Sequence, residues 1–308
     1  MNYYAVFDVG GTSTKYALMN ETGEFIEKSS MDTPKDSLEQ LMDLLDSTVK
    51  EFEKKRKLRG IALSMPGAVN VEEGVIEGAS ALPYVHGPNI RSILEKRTGL
   101  PVDLENDANC ASLAEGWIGA ARDVKDYICI VIGTGIGGAV VLDKRIRHGK
   151  NLHAGEFGFM IMEDYLDQPM GTSWSSVGST EAIVQLVAKR KGRDASGLDG
   201  KMVFEMADHG DKEVQDEIRK FTKRIAVGIL NLQYAIDPEK ILIGGAISER
   251  EELIDQINET LSSMKSNMHR LSVKVEACRF GNDSNLIGAL YHFLQRKQNA
   301  DLAQTNFI

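Results

Sequence analysis

Apolar residues recur along this chain with two periods, one typical of strands and one typical of helices. Residues 3–8 are almost continuously apolar and predict a buried strand that ends at Gly10 and Gly11. Residues 16–19 resume the β-type pattern, so the glycine pair is predicted to join two strands. Between residues 37 and 57, apolar positions follow helical spacing and the charges fall on the other face, which predicts an amphipathic helix.

The second half of the chain repeats this strand–turn–strand unit. A strand is predicted over residues 127–132, a glycine-rich turn over 133–138 and a further strand over 139–142. Two similar units indicate a duplicated domain. The remaining predicted strands are 60–64, 102–104 and 241–243, and the remaining predicted helices are 89–97, 107–118, 214–232, 251–264 and 285–295. This alternation predicts an α/β architecture in two lobes with a cleft between them.

Composition narrows the class of protein. The 308 residues include 36 Lys and Arg against 45 Asp and Glu, a net charge of −9, which argues against binding to nucleic acid because that affinity rests on clustered cations. The three cysteines, Cys110, Cys129 and Cys278, are too widely spaced for a disulfide framework or a Cys-x-x-Cys metal site. There is neither an apolar stretch of bilayer length nor an export signal. The sequence therefore predicts a soluble, cytoplasmic protein.

The glycine-rich turns are the first candidates for chemistry. Gly133, Gly135 and Gly138 have the G-x-G-x-x-G spacing, but a dinucleotide-binding turn must open a helix, and here a strand follows. A P-loop is excluded for the same reason, and because no Gly-Lys-Ser/Thr follows. A glycine turn between paired strands can instead cradle phosphate through its backbone N–H groups. One such turn would be interpreted as a tight hairpin, whereas two of them, with Gly244-Gly245 as a third, favour phosphate binding.

In their order along the chain, these segments resemble the ROK family, the bacterial sugar kinases and related repressors of the actin/Hsp70-like ATPase group. Three segments resemble the family's nucleotide-binding loops: the first phosphate loop at Asp8, Gly10, Gly11, Thr12 and Lys15, the second phosphate loop at Gly133, Thr134, Gly135 and Gly137, and the adenosine loop at Gly244, Gly245 and Ala246. Two segments resemble its sugar-binding stretches: the sugar-pocket turn at Pro66 and Gly67, and the AGEFG stretch at residues 154–158 with Glu156. Residues 105–109, with Asn106 and Asp107, resemble its catalytic ENDAN segment.

The resemblance implies a duplicated, two-lobed α/β fold of the actin/Hsp70/hexokinase (ribonuclease H-like) type with an interlobe cleft. We expect an N-terminal lobe over residues 1–118, onto which a last helix over 285–308 packs back. A C-terminal lobe over 119–284 would carry the adenosine loop. The implied substrates are ATP and a sugar, the implied metal is Mg²⁺, and a homodimer is expected only from the family.

The residue chemistry supports particular roles beside this resemblance. Asp107 can accept the proton of a sugar hydroxyl as general base, and Asn106 can hydrogen-bond a neighbouring hydroxyl. The same pair is also a typical helix N-cap, and both roles can hold together. Asp8 ends a buried strand, where a lone carboxylate is costly. The resemblance places it near the phosphates and Mg²⁺, acting through water, while the alternative is that it caps the amides of Gly10 and Gly11.

The other candidates carry simpler alternatives. Lys15 is either a phosphate ligand or an ordinary exposed strand residue. Glu156 lies between glycines, a poor place for a structural salt bridge, which favours binding of sugar hydroxyls. His153 is either a sugar contact or a surface histidine.

The chain departs from the family pattern at its zinc site. Most members have a His just after the EFG stretch and a cysteine-rich loop soon after, whereas this chain has Phe159 there and no cysteine over residues 160–179. Trp174-Ser175-Ser176 occupies the region of a second sugar-binding Glu. The sequence thus resembles the zinc-less branch that includes β-glucoside kinases, and predicts no structural zinc site. We expect the loop to be held by packing of Phe159, Met160, Met162, Tyr165 and Trp174.

These observations predict ATP-dependent phosphorylation of the 6-hydroxyl of a glucose-type hexose or β-glucoside. One alternative is a sugar-sensing regulator of the same family that does not phosphorylate. Repressor members carry a DNA-binding helix-turn-helix before the first phosphate loop; because seven residues precede Asp8 here and the chain is acidic, we do not expect this alternative. Another is a kinase for a different hexose or an amino sugar. A third is an actin- or Hsp70-like ATPase, which would not need the ENDAN and AGEFG segments.

Overall fold

A computed structural model describes residues 1–162, 172–264 and 273–305, with side chains described up to residue 299. The chain divides into two compact units. The first comprises Met1–Ile118 together with Asn282–Ile308, and the second comprises Gly119–Gly281.

The first unit is built on a mixed β-sheet. Its strands in the described residues are β1 (Tyr3–Val9), β2 (Ser13–Asn20), β3 (Phe25–Asp32), β4 (Leu58–Met65) and β7 (Val102–Asn106), and a separate hairpin is formed by β5 (Ala68–Asn70) and β6 (Val75–Glu77). The sheet has the order β3-β2-β1-β4-β7. The strands β1, β2 and β3 pair antiparallel, while β1, β4 and β7 run parallel. The carboxyl ends of β1, β4 and β7 therefore meet at one edge of the sheet.

The first unit also contains four described helices. They are α1 (Leu38–Glu53), α2 (Ile90–Thr98), α3 (Asp107–Ile118) and α9 (Ser284–Thr305). Local signals set their ends: the Ser37 hydroxyl accepts the Gln40 N–H at the start of α1, and α2 ends at Gly99 in the left-handed conformation (φ 71°). Apolar side chains of α1 and α2, such as Leu45 and Leu94, are fully buried in one core with β1 and β4.

The second unit repeats the strand order of the first. Its strands in the described residues are β8 (Tyr127–Ile132), β9 (Ile136–Leu142), β10 (Arg145–Ile146), β11 (Lys240–Gly244) and β12 (Val275–Ala277). The order is β10-β9-β8-β11-β12, with an antiparallel β8–β9 hairpin followed by parallel pairing of β8, β11 and β12. The predicted duplicated α/β fold is confirmed, because each sheet begins with a hairpin across a glycine turn and continues with parallel strands.

The helices of the second unit form its apolar layer. They are α4 (Trp174–Gly178), α5 (Thr180–Arg190), α6 (Gly200–Asp208), α7 (Lys212–Ile236) and α8 (Glu251–Met264). The long helix α7 begins at the Asp211 cap and ends at Asp237, which is left-handed (φ 52°) and precedes Pro238. Its buried face, including Phe221 and Ile229, packs in the same cluster as Trp174.

The structure differs from the predicted elements in several places. The second glycine turn is shorter than predicted, because Gly137 and Gly138 pair with β8 and β9 already begins at Ile136. The last helix begins at Ser284 and is described to Thr305, so it is longer than the apolar pattern over 285–295 predicts and is close to the helix over 285–308 that the resemblance implies. The strand β3 was not predicted, since it is an edge strand whose side chains are mostly exposed and lack an apolar period. Among the described helices, none is long and apolar enough to cross a membrane.

Candidate active site

Asp8 lies near the carboxyl end of β1 with donors around its carboxylate. Its Oδ1 accepts hydrogen bonds from Ser64 Oγ of β4 (2.8 Å) and from Asn285 Nδ2 at the start of α9 (3.0 Å). Its Oδ2 lies 3.8 Å from the Lys15 Nζ. The residue is only 8% exposed, and these partners offset the cost of burying a charge. Sequence reasoning missed Ser64 and Asn285; the only signal for Ser64 is a lone hydroxyl in an apolar strand.

The first glycine turn connects β1 to β2 and is held from both sides. The Gly10 N–H donates to the Ser13 carbonyl (3.0 Å), while the Thr33 hydroxyl donates to the Gly10 carbonyl (2.7 Å). The Thr33 N–H donates to the carbonyl of Thr12, whose side chain is exposed. A Cβ on Gly11 would lie 2.6 Å from the Ala81 Cβ, so only glycine fits there. The alternative role of Asp8 is to cap the amides of Gly10 and Gly11; for Gly10 this is wrong, because its N–H donates to the Ser13 carbonyl.

Lys15 follows this turn on β2 and connects three parts of the first unit. Its Nζ donates to the Asn282 carbonyl (3.1 Å), just before α9, in addition to its ion pair with Asp8. Lys15 is therefore not an ordinary exposed strand residue: it ties the first turn to the start of the last helix.

Pro66 and Gly67 form the turn after β4, beside the end of β7. Gly67 has a positive φ of 98°, and its carbonyl accepts a hydrogen bond from Asn106 Nδ2 (2.9 Å). Parallel pairing places Met65 opposite Asn106, so the two strand ends bring these segments together.

Asn106 and Asp107 stand where β7 passes directly into α3. Asn106 Oδ1 accepts the Asn109 N–H (3.1 Å), which is the geometry of a helix N-cap. Asp107 is the first residue of α3 and its Oδ1 accepts the Ala108 N–H (2.8 Å). The cap interpretation of Asn106 is thus confirmed, and the cap orients both side chains at the helix N-terminus, which favours a negative charge on Asp107.

A buried carboxylate that sequence reasoning did not single out lies beneath this pair. Glu105 is fully buried, and its Oε1 accepts the Asn106 N–H (2.7 Å) and Asn109 Nδ2 (2.9 Å). Its Oε2 lies 3.6 Å from Nδ1 of His292 on α9. Burial, followed by the nearby carboxylate of Glu105, raises the pKa of the Cys110 thiol well above its usual value, which keeps this thiol protonated.

In the second unit, the turn between β8 and β9 is held at both ends. The Gly133 N–H donates to the Gly135 carbonyl (2.9 Å), and the Thr180 N–H donates to the Gly133 carbonyl (2.8 Å). The Ile136 N–H donates to Ser175 Oγ (2.8 Å). A Cβ on Gly133 or on Gly137 would meet no atom within 4 Å, and the Thr134 side chain is exposed, so the turn borders open space.

The third glycine turn follows β11 and lies against the second. Gly245 has a positive φ of 90°, and a Cβ there would lie 2.2 Å from the Ile132 carbonyl oxygen. Glycine at this position lets residues 244–246 approach the end of β8. Ala246 then opens the short 3₁₀ helix Ala246–Glu249. The structure therefore brings the predicted second phosphate loop and adenosine loop together.

His153 and Glu156 lie on the loop that follows β10, and both side chains are exposed. The Glu156 N–H donates to the His153 carbonyl (3.2 Å). Gly155 is left-handed (φ 97°), and its missing Cβ would lie 2.3 Å from the Gly138 carbonyl oxygen. The loop is thereby anchored on β9, directly after the second glycine turn.

The packing predicted for the following loop is correct for some residues and wrong for one. Trp174 is fully buried, and Met160 and Met162 pack partly buried against the same core. Phe159, however, is 68% exposed, because the backbone turn Phe157–Phe159 buries Phe157 instead. Tyr165 lies outside the described residues.

No group of three or more His, Cys, Asp or Glu side chains in the described parts of the chain is arranged to hold a metal ion. A magnesium ion fits these residues only in the manner common for phosphate-bound Mg²⁺, with one carboxylate and its own water shell. Asp8 suits that role, because the hydrogen bonds from Ser64 and Asn285 go to Oδ1, while Oδ2 lies 3.8 Å from the Lys15 Nζ.

Both sheets have the same strand order and a glycine turn in their hairpin, and the Asn106-Asp107 pair lies at the end of β7. These features define a duplicated α/β protein of the class that the motifs predicted. The family model described as "ROK family" matches residues 3–296. The chain belongs to the ROK family.

Individual relatives agree with this membership. A β-glucoside kinase of Listeria monocytogenes is 34% identical over 298 residues, covering 95% of this chain and 98% of the relative. The crystal structure of a ROK family protein from Streptococcus pneumoniae in complex with sucrose is 36% identical, covers 96% of this chain and 99% of its own, and superposes with a TM-score of 0.89. A ROK family glucokinase from Streptomyces griseus, in complex with glucose and AMPPNP, is 26% identical and covers 94% and 98%, with a TM-score of 0.76.

Proposed function

We propose that this ROK-family sugar kinase transfers the γ-phosphoryl group of ATP to the 6-hydroxyl of a glucose-type hexose or a β-glucoside. The observation that carries the proposal is the geometry of Asn106 and Asp107 at the N-terminus of α3, held from below by the buried Glu105. The similarity to a β-glucoside kinase over nearly the whole of both chains supports the substrate class.

In the proposed reaction, Asp107 accepts the proton of the attacking hydroxyl. Asp107 Oδ1 accepts the Ala108 N–H, and a carboxylate has about four lone-pair sites, so the same group can also accept the proton of a hydroxyl. Asn106 retains one amide hydrogen besides the one donated to Gly67, and a second lone pair on Oδ1. It can therefore both donate to and accept from sugar hydroxyls while it caps the helix, which fixes the attacking oxygen beside the base.

The phosphates are assigned to the glycine turns. The N–H groups of Gly10 and Gly133 hold the turns themselves, so the backbone N–H groups of residues 11–12 and 134–135 are the proposed uncharged donors. Lys15 supplies a cation held near Asp8. Residues 244–246 are assigned to the adenosine, and Glu156 with His153 to the sugar. Mg²⁺ would be held by the phosphates and, through water, by Asp8, and when bound it supplies positive charge that offsets the charge of the transferred group.

The sugar preference tests the substrate class. Trp174 and Ser175 occupy the region where other family members carry a sugar-binding Glu, and neither has a carboxylate. Trp174 is buried in the core and the Ser175 hydroxyl bonds to the backbone. We expect a β-glucoside such as cellobiose to be phosphorylated with a kcat/KM at least equal to that for glucose. A coupled ADP-release assay over hexoses, amino sugars and β-glucosides measures this. Strict preference for free glucose would refute the β-glucoside assignment, and no turnover with any sugar would refute the kinase itself.

Metal removal tests the replacement of zinc by packing. A zinc-selective chelator should leave the Tm unchanged, because Trp174 and its neighbours bury apolar surface in place of a metal. Stripping Mg²⁺ should abolish turnover and leave the Tm nearly the same. Calorimetry with and without each chelator, together with elemental analysis, gives the answer. Stoichiometric zinc in the purified protein would contradict this prediction.

A further inference from the structure

The short helix α4 carries a hydroxyl that reaches the second glycine turn. Ser175 Oγ accepts the N–H of Ile136 at 2.8 Å, and Ile136 is the residue with which β9 begins. Ile136 is only 5% exposed, so its N–H has little access to water and the hydrogen bond to Ser175 helps to satisfy it. The hydroxyl therefore fixes the point at which the turn ends and the strand begins.

Two glycines leave room for this hydroxyl. A Cβ on Gly158 would lie 2.2 Å from Ser175 Oγ and 2.2 Å from the Ile136 carbonyl oxygen, and a Cβ on Gly135 would lie 3.4 Å from Ser175 Oγ. Ser175 thus stands between the second glycine turn and the loop of residues 154–158, which carries Glu156. Its hydroxyl is in contact range of both segments.

The helix that carries Ser175 is itself rigidly anchored. Trp174 is fully buried, and its ring occupies the place where a Cβ on Gly228 of α7 would lie, within 2.3 Å. The backbone N–H of Trp174 donates to the Met160 carbonyl (2.7 Å), which ties α4 to the residues just after the 154–158 loop. Because α4 is held by α7 and by this loop, the position of Ser175 Oγ is set by the core of the second unit.

We propose that Ser175 is a positioning residue that holds the second glycine turn in register with the Glu156 loop, so that the turn's N–H groups are aligned for the ATP phosphates. This inference rests on the proposed kinase function. Ser175 acts through the backbone of Ile136 and is not a catalytic residue. Without the Ser175 hydroxyl, the Ile136 N–H loses this hydrogen bond and the turn loses its fixed end, so that nucleotide affinity should fall about tenfold.

The test compares Ser175→Ala with Ser176→Ala, its neighbour on α4. Ser176 is exposed, and its hydroxyl donates to the Ser173 carbonyl, so this variant measures the effect of losing a serine hydroxyl elsewhere on the same helix. We expect Ser175→Ala to raise the KM for ATP about tenfold. Its KM for the sugar should change less than twofold, and its Tm should fall by a few degrees at most, because one buried N–H loses an acceptor. A purely structural role would lower the Tm but leave both KM values unchanged.

Direct binding of AMPPNP, measured by calorimetry, separates this inference from the proposed function. A Kd raised about tenfold in Ser175→Ala and unchanged in Ser176→Ala supports the positioning role, even if no sugar is turned over. Ser175→Thr, which keeps the acceptor oxygen, should recover part of the affinity. Equal Kd values for the Ala variants and the wild-type protein would overturn the inference, whatever the activity of the enzyme.

Discussion

Replacing Asp107 with Asn should lower kcat by about 10²–10⁴-fold, the usual contribution of general-base catalysis. The substitution keeps Oδ1, which accepts the Ala108 N–H, and so keeps the local structure at the start of α3. It removes the basic oxygen that would take the proton of the sugar hydroxyl. Steady-state kinetics with saturating sugar and ATP measure the effect, and AMPPNP affinity should be unchanged because that ligand is assigned to the glycine turns.

A matched control is Asp255→Asn, which removes one carboxylate from an exposed position on α8. This variant should have the kcat of the wild-type protein. Near-normal turnover of Asp107→Asn would refute the general-base assignment and leave Asp107 with only a structural role at the helix start. A loss of turnover accompanied by a large fall in Tm would likewise speak for a structural role.

Replacing Gly288 with Ala should destabilise the first unit strongly. A Cβ on Gly288 of α9 would lie 1.7 Å from the Cys110 carbonyl oxygen of α3, and both groups belong to helices rather than to flexible side chains. The helices must move apart, and overpacking of this kind costs about 3 kcal/mol, the upper end of the usual range, or more. Thermal unfolding should show a fall in Tm of about 10 °C. Since α3 begins with Asp107, turnover should fall as well.

Gly281→Ala is the control for this prediction. A Cβ on Gly281 would meet nothing within 4 Å, and its backbone is not left-handed, so the Tm should be unchanged or slightly higher. An unchanged Tm for Gly288→Ala would show that α3 and α9 do not approach as closely as the structure has them.

Three elements with clear local signals have the ends predicted from the sequence. The strand β8 and the helices α3 and α8 have the predicted bounds, because an apolar period, a cap or a following glycine turn marks each end. Elements with weak local signals were missed. The edge strand β3 lacks an apolar face, and the helix α4 is too short for its five residues to show a helical period.

The candidate site divides in the same way. The glycine turns and the Asn106-Asp107 pair were found because each is a compact motif whose residues lie next to one another. Their supports were not found. Asn285 donates to Asp8 across 277 positions of the chain, and Ser175 accepts from Ile136 across 39 positions.

The sequence by itself determined the duplicated α/β class, the family and the residues proposed for the chemistry. Hydrophobic periods, caps and glycine turns act over a few residues, and so they can be recognised along the chain. Only the tertiary structure decided that Glu105 lies buried beneath Asn106, that Phe159 is exposed while Trp174 fills the core, and that Ser175 holds the second glycine turn. The physical reason is that these contacts depend on which helix packs against which strand end, and no local pattern encodes that choice.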